Sequence, residues 1–161
     1  MDKKEYAARV QALREKLYRS AYLLLGRESD ALDAVDEAVF RGMTACRKCR
    51  HPEYFDTWLT RILLRVCHAH LPRRAPRAGY ALTGGVRQAL DALPLRDAIS
   101  RLPGELCDPL VLRYFSGYTT AEAAYILKIS QGTAALRIRR ALSILHLEPT
   151  GREVTTYGPE R

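Results

Sequence analysis

The chain has 161 residues, and its 26 Lys and Arg outnumber its 18 Asp and Glu, which gives a net charge of +8 and a pI of about 9.6. This length suits one ordinary domain or two small ones, and no apolar run reaches the roughly 18–20 residues of a membrane-spanning helix. The start of the sequence leads directly into a polar helix rather than a signal peptide, so its four Cys indicate no disulfide framework. We therefore expect a reduced, cytoplasmic protein.

The positive charge is concentrated in two stretches. Residues 61–80 contain five Arg and no acid, and residues 101–145 contain six basic side chains against three acidic ones. A general need for solubility would not require this clustering. Two separate contacts with a polyanion explain it better.

The first two predicted helices carry different outer surfaces. Helix one spans residues 5–25, where apolar side chains form a single stripe, and Gly26 ends it. Helix two runs to about Ala45 after a cap at Ser29 or Asp30. Four acids on its outer side repel one another, and the dipole of the helix accounts for only one of them. The four acids are Asp30, Asp33, Asp36 and Glu37, and a basic partner surface or a solvated face would explain the other three.

A basic turn and a third helix ending at Pro72 combine aromatic rings with cations. Such interleaving suits single-stranded nucleic acid, because bases stack on rings while cations meet phosphates. The alternative is that Phe55 and Trp58 simply fill the core. The candidate nucleic-acid contacts are Arg47, Lys48, Arg50, Tyr54, Phe55, Trp58, Arg61 and Arg65.

Cysteine and histidine are also frequent between residues 46 and 70, which raises the possibility of zinc. The six candidates are Cys46, Cys49, His51, Cys67, His68 and His70. However, fourteen residues separate Glu53 from Cys67, which is about 21 Å of helix. Since one ion cannot bridge that span, we predict neither a metal site nor a cofactor.

The second half of the chain is predicted to be a separate helical domain. Residues 73–93 are rich in Pro, Gly, Arg and Ala and indicate a flexible linker. A short helix at about 94–101 and a helix with Pro109 in its first turn follow. The tail, residues 148–161, has no pattern and is expected to fray.

The stretch from Arg113 to Leu145 predicts a helix-turn-helix. Thr119 or Thr120 caps the first helix, with Glu122 in its first turn, and Ser130 caps the second. Along the second helix, apolar residues recur at helical spacing, at Leu136, Ile138, Leu142 and Leu145. A tight turn followed by a basic helix is the geometry that places side chains in a DNA major groove. The candidate contacts are Ser130, Gln131, Thr133, Arg137, Arg139 and Arg140.

An ordinary helical hairpin with a solvated basic face would carry many of the same features. Small residues at Ala123, Ala124, Gly132, Ala134 and Ala135 favour the DNA-binding interpretation, because they let two helices cross closely. The fold class that follows is all-α, with two small helical domains, the C-terminal one a helix-turn-helix, joined by a linker.

Two blocks of sequence resemble the extracytoplasmic-function class of bacterial RNA polymerase sigma factors. The first comprises L-Y-R-S-A-Y-L-L-L-G-R-E-S-D-A-L-D-A-V-D-E-A-V-F and P-E-Y-F-D-T-W-L-T-R-I-L. The second is R-L-P-G-E-L-C-D-P-L-V-L-R-Y-F-S-G-Y-T-T-A-E-A-A-Y-I-L-K-I-S-Q-G-T, continuing into R-I-R-R-A. Residues 1–72 are thus similar to sigma region 2 and residues 94–147 to sigma region 4.

The resemblance implies a role for each candidate surface. The acidic helix would dock on the clamp helices of core RNA polymerase, the turn and third helix would read and help melt the −10 element, and the helix-turn-helix would read the −35 element. Promoter DNA, core polymerase and an anti-sigma factor would be the partners. The chain departs from the family pattern at Asp36, usually Gln, and at Arg65, often Asn. It departs again in the recognition helix, usually S-x-G-T-V-K-S-R, where Ala135 replaces a cation.

A stand-alone helix-turn-helix regulator that lost polymerase docking is the alternative function. The acidic helix favours the sigma factor, whereas the altered recognition helix leaves room for the regulator. The sequence does not support an enzymatic function, since it has no phosphate-cradling glycine loop and no nucleophile motif.

Overall fold

The computed structural model describes residues 1–71, 98–99 and 101–146, and the chain divides into two compact units, Met1–Leu82 and Thr83–Arg161. Within the described ranges all regular structure is helical, in agreement with the predicted all-α class. The division falls inside the segment 73–93 that the sequence predicts as a linker. That segment, most of the short helix predicted at 94–101 and the tail at 148–161 lie outside the described residues.

Three helices make up the described part of the first unit. They are α1 (Lys3–Leu25), α2 (Glu28–Ala45) and α3 (Phe55–His70), and each packs against the other two. Two short 3₁₀ turns, Cys46–Lys48 and Pro52–Tyr54, connect α2 to α3.

Local signals at both ends fix the length of α1. Asp2 precedes the helix, and its side chain accepts a hydrogen bond of 2.7 Å from the backbone N–H of Glu5. At the other end Gly26 adopts a left-handed conformation with φ of 78°, and its N–H bonds to the carbonyl of Tyr22. Glycine adopts such a φ more readily than residues with a Cβ atom, and the predicted stop at Gly26 is confirmed.

Close contact between α1, α2 and α3 occurs around Gly42. A Cβ atom at this position would lie 2.8 Å from Cδ1 of Leu59 on α3 and would also clash with the hydroxyl of Tyr6 on α1. That hydroxyl donates a hydrogen bond of 2.7 Å to the carbonyl of Val39. Tyr6 is therefore buried by packing while its polar atom stays paired, which avoids the cost of an unsatisfied donor.

The start of α2 differs from the prediction. Neither Ser29 nor Asp30 caps it, because the helix already begins at Glu28, and the Arg27 side chain at the N-cap position makes no capping hydrogen bond. Glu28 and Asp30 instead lie in the first turn, where a negative charge interacts favourably with the helix dipole.

The described part of the second unit contains α4 (Gly104–Tyr114), α5 (Thr120–Leu127) and α6 (Gln131–Leu145). α4 begins earlier than predicted, after Pro103, so Pro109 lies inside the helix rather than in its first turn. Pro109 is buried there.

The caps of α5 and α6 match the helix-turn-helix prediction. Thr119 and Glu122 form a reciprocal capping box, with hydrogen bonds of 3.1 Å and 2.7 Å between their side chains and each other's backbone N–H. Lys128 adopts φ of 56° in the turn. Ser130 then caps α6 by accepting a hydrogen bond from the N–H of Thr133.

The buried face of α6 is rotated relative to the predicted stripe. Ile138 and Leu142 are buried as expected, and Ala134 and Ala141 complete that face. Leu136 is 44% exposed, so its predicted place in the core is wrong. Gly132 is exposed too, and a Cβ there would meet nothing within 4 Å, so this glycine is not needed for close helix packing.

Candidate protein and nucleic-acid interfaces

The four acids of α2 fall on two different parts of the helix. Asp33 and Asp36 are exposed on the outward side, and Asp36 has a distant ion pair of 3.7 Å with Arg14 of α1. Asp30 and Glu37, seven positions apart, lie on the flank and are half-buried. The structure therefore leaves Asp33 and Asp36 as the acids best placed to meet another molecule.

Glu37 is engaged within the unit. Its carboxylate pairs with Arg41 one turn later, and its Oε2 lies 3.3 Å from Nε2 of His70 at the end of α3. The hydrogen bond with His70, followed by the attraction of Arg41, lowers the pKa of Glu37 below its usual value. Glu37 thus joins α2 to α3, which makes it a poor probe of a partner contact.

Three large apolar side chains on the same helix were missed in the sequence. Leu32, Phe40 and Met43 are 42%, 62% and 38% exposed, and with Asp36 they follow helical spacing along the outward face. A helical projection reveals the signal, because these residues lie off the buried Ala31–Ala38 stripe. We call Leu32, Asp33, Asp36, Phe40 and Met43 the outward face of α2.

The aromatic and basic candidates of the first unit largely share one side of α3. Tyr54, Trp58, Arg61 and Arg65 recur at intervals of four, three and four residues, and none of them is fully buried. The remaining cations, Arg47, Lys48 and Arg50, are exposed in the preceding turn. The structure thus places rings and cations on one continuous segment.

Phe55 does not belong to that surface. Its ring is 1% exposed, meets the ring of Tyr6 edge-on and lies 5.8 Å from the ring centroid of Trp58. Because the ring is buried against Tyr6 and Trp58, it cannot stack on a base. The prediction that Phe55 contacts nucleic acid is therefore wrong, and Phe55 is a core residue.

The turn before α3 is anchored by a residue that the sequence did not single out. Arg9 of α1 donates a hydrogen bond of 2.9 Å to the carbonyl of Pro52, and its guanidinium lies 5.8 Å from the centroid of the Phe55 ring. Both contacts span more than forty residues, so no local pattern could have revealed them. Arg9 holds the turn against α1 at the point where the aromatic segment begins.

Two of the candidate contacts in the helix-turn-helix are partly occupied by the cap. The hydroxyl of Ser130 accepts from the N–H of Thr133 and lies 2.8 Å from the Thr133 hydroxyl. Ser130 therefore sets the start of α6, while Gln131 and Thr133 remain partly exposed in its first turn.

The three arginines of α6 are not equivalent. Arg139 and Arg140 are exposed, whereas Arg137 lies toward α4, with a guanidinium nitrogen 3.9 Å from a carboxylate oxygen of Glu105. Arg139 and Arg140 are consequently the cations that the second unit presents most openly along this helix.

No group of three His, Cys, Asp or Glu side chains comes together as metal ligands anywhere in the described residues. All four Cys are buried, and burial raises the pKa of Cys49. The described helices include none that is both long enough and apolar enough to cross a membrane.

Each of the two units matches a known protein family. Residues 9–77 match the family Sigma-70 region 2, and residues 92–145 match Sigma-70, region 4. The two matches follow each other in chain order and agree with the two sequence blocks identified above.

The relatives match across most of this chain. The chain is 24% identical over 148 residues to the RNA polymerase sigma factor SigV of Bacillus subtilis, covering 88% of this chain and 89% of that one. It is 29% identical over 132 residues to the ECF RNA polymerase sigma factor SigM of Mycobacterium tuberculosis, covering 78% and 67%. The fold is similar to the sigma factor RpoE of Bartonella quintana, solved with the anti-sigma factor NepR. That match has a TM-score of 0.77, 18% identity, and coverage of 91% and 99%.

Proposed function

Because this chain belongs to the extracytoplasmic-function class of the sigma-70 family, we propose that its two units divide promoter recognition between them. It is an RNA polymerase sigma factor that directs transcription initiation. The first unit binds core polymerase and the −10 element, and the second unit binds the −35 element. The match of region 2 as well as region 4 favours this function over a stand-alone regulator.

The outward face of α2 is the observation that carries the polymerase contact. It places Phe40 and Met43 beside Asp33 and Asp36 on an exposed helix side, opposite the stripe that packs on α1 and α3. Large exposed apolar residues surrounded by charges are typical of protein interfaces, where the apolar centre supplies affinity and the charges supply orientation. We assign this face to the clamp helices of core polymerase.

Affinity for core polymerase tests this assignment. Phe40→Ala should weaken binding about tenfold or more, because a central aromatic residue often dominates an interface. Asp33→Lys should also weaken it, with a strong dependence on salt. Glu15→Lys is the matched control, since its side chain on α1 is 85% exposed and the charge change is the same. Wild-type affinity in both α2 variants would contradict the assignment.

For the −10 element we propose that Tyr54 and Trp58 stack on unpaired bases while Arg61 and Arg65 meet phosphates. Stacking of one base on an aromatic ring contributes about 1–3 kcal/mol, which helps offset the cost of opening the duplex. Trp58→Ala should therefore reduce the permanganate reactivity of thymines near the start site without reducing polymerase affinity. Equal reactivity in the variant would exclude Trp58 from this role.

For the −35 element we propose that α6 enters the major groove, with Gln131 and Thr133 near base edges and Arg139 and Arg140 near phosphates. Replacing a phosphate-contacting arginine should lower the slope of log K against log salt by about one. Arg140→Ala is expected to do so, whereas Arg137→Ala should have a smaller effect because Glu105 already holds Arg137.

The remaining expectations follow from this function. The Bartonella relative was solved with an anti-sigma factor, and we infer a protein partner of the same kind for this chain. We assign the chain no chemistry of its own, since polymerase makes the phosphodiester bonds. Its place of action is then the cytoplasm, where polymerase and promoter DNA meet.

A further inference from the structure

An exposed leucine lies in the middle of the outward side of α6. Leu136 is 44% exposed, and Gly132, Arg139 and Arg140, at spacings of three and four residues from it, are exposed as well. The buried residues Ala134, Ile138, Ala141 and Leu142 occupy the other side of the helix. Leu136 therefore points away from the core of its unit, and packing within the described residues does not explain an apolar side chain there.

The surroundings of Leu136 suit a polyanion. Arg139 and Arg140 flank it with two cations that can meet phosphates. One turn earlier, Gly132 has no side chain, and a Cβ at that position would meet nothing within 4 Å, so another molecule can approach the helix backbone closely. This charge pattern favours DNA over an apolar protein surface as the molecule that covers Leu136.

A leucine in the major groove can contact only one apolar group. The edges of guanine, cytosine and adenine present hydrogen-bonding atoms, and covering those atoms with an aliphatic side chain leaves them without a partner. The C5 methyl of thymine is the exception. The usual family pattern S-x-G-T-V-K-S-R has its second Ser where this chain has Leu136, and a hydroxyl can pair with several bases, whereas a leucine cannot.

We propose that Leu136 is a specificity-determining residue that contacts the C5 methyl of one thymine in the −35 element. This inference rests on the proposed function of α6. Leu136 then favours one base pair of the element, in one orientation, over the three others. Arg139 and Arg140 anchor the helix on the backbone without selecting the sequence.

The test uses wild-type protein bound to core polymerase and a pool of duplexes randomised upstream of a fixed −10 region. The wild type should enrich thymine at one position, and Leu136→Ala should lose the preference at that position alone. Deoxyuridine in place of that thymine removes only the methyl group. It should weaken binding of the wild type about fourfold, the equivalent of one buried methyl, and leave the binding of Leu136→Ala unchanged.

Ile144→Ala is the matched control, because Ile144 is another exposed apolar residue of α6, 55% exposed and eight residues further along. It should retain the wild-type preference. If Leu136→Ala keeps every wild-type preference, the leucine serves a protein partner and the inference is overturned, while the proposed function stands. If the wild type enriches no upstream sequence at all, both the proposed function of α6 and the inference fail.

Discussion

At the residue scale, the packing of the first unit leaves no room for a side chain at Gly42. Gly42→Ala should lower the free energy of unfolding by about 1–3 kcal/mol, because the new methyl group overlaps the Tyr6 hydroxyl and Leu59. Denaturant unfolding followed by circular dichroism measures this. Gly132→Ala is the control and should cause no loss, since its Cβ meets nothing. Equal stabilities of the two variants would contradict the described packing.

The buried phenol of Tyr6 predicts that the folded state loses stability at alkaline pH. Burial raises the pKa of Tyr6 to about 12 from its ordinary 10, so between these values the unfolded chain releases the phenolic proton while the folded chain keeps it. The stabilisation is complete below pH 10 and is lost as the pH rises toward 12. Urea unfolding followed by Trp58 fluorescence at pH 9 and pH 11.5 should show the loss.

Tyr6→Phe isolates that effect. The variant cannot donate to the Val39 carbonyl, so we expect it to be about 0.5–1.5 kcal/mol less stable at neutral pH. It should also lose less stability than the wild type between pH 9 and pH 11.5. The same alkaline loss in both proteins would show that another group titrates.

At the element scale, the turn between α2 and α3 depends on α1. Arg9→Ala removes both the bond to the Pro52 carbonyl and the contact with the Phe55 ring, whereas Arg9→Lys keeps the charge but not the fork of donors. We expect both variants to reduce opening of the −10 region by several-fold while affinity for core polymerase stays unchanged. Wild-type opening in both would mean that the turn needs no support from α1.

Several helix ends that depend on neighbouring residues could be predicted from the sequence, although the start of α2 could not. The Ser130 cap and the stop at Gly26 agree with the prediction, and Thr119 is the one of its two candidate caps that forms, because each involves residues within four positions of one another. The burial of Phe55 could not be predicted, since it depends on Tyr6 and Arg9 from a distant helix. Likewise, helical spacing alone left Leu136 on the wrong side of α6, where the packing of α4 and α5 decides which residues are buried.

The same limit applies to the candidate surfaces. The acidic residues of α2 predict a partner surface, but their charge alone does not distinguish Asp33 and Asp36 from Glu37. The structure does, because His70 and Arg41 bind Glu37 within the unit. The apolar part of the surface, Leu32, Phe40 and Met43, lies off the buried stripe of α2, so a helical projection predicts its position, and the structure gives its exposure. Partner contacts are therefore better judged from exposure than from residue type.

At the scale of the whole molecule, polymerase binding belongs to the first unit, whereas promoter reading is shared by both units. The two functions should then separate by mutation. Changes on the outward face of α2 should abolish activity by preventing assembly with polymerase, whereas changes on α6 should redirect or weaken promoter choice in a complex that still assembles.

Reconstituted transcription measures whether the chain directs initiation by core polymerase. Core polymerase is given a library of genomic fragments, alone, with the wild-type protein, and with Phe40→Ala, and the start sites of the transcripts are mapped. We predict a defined set of starts that requires the wild-type protein, shares one upstream motif and is reduced about tenfold or more by Phe40→Ala. A protein that binds those fragments yet adds no start site to core polymerase would contradict the account.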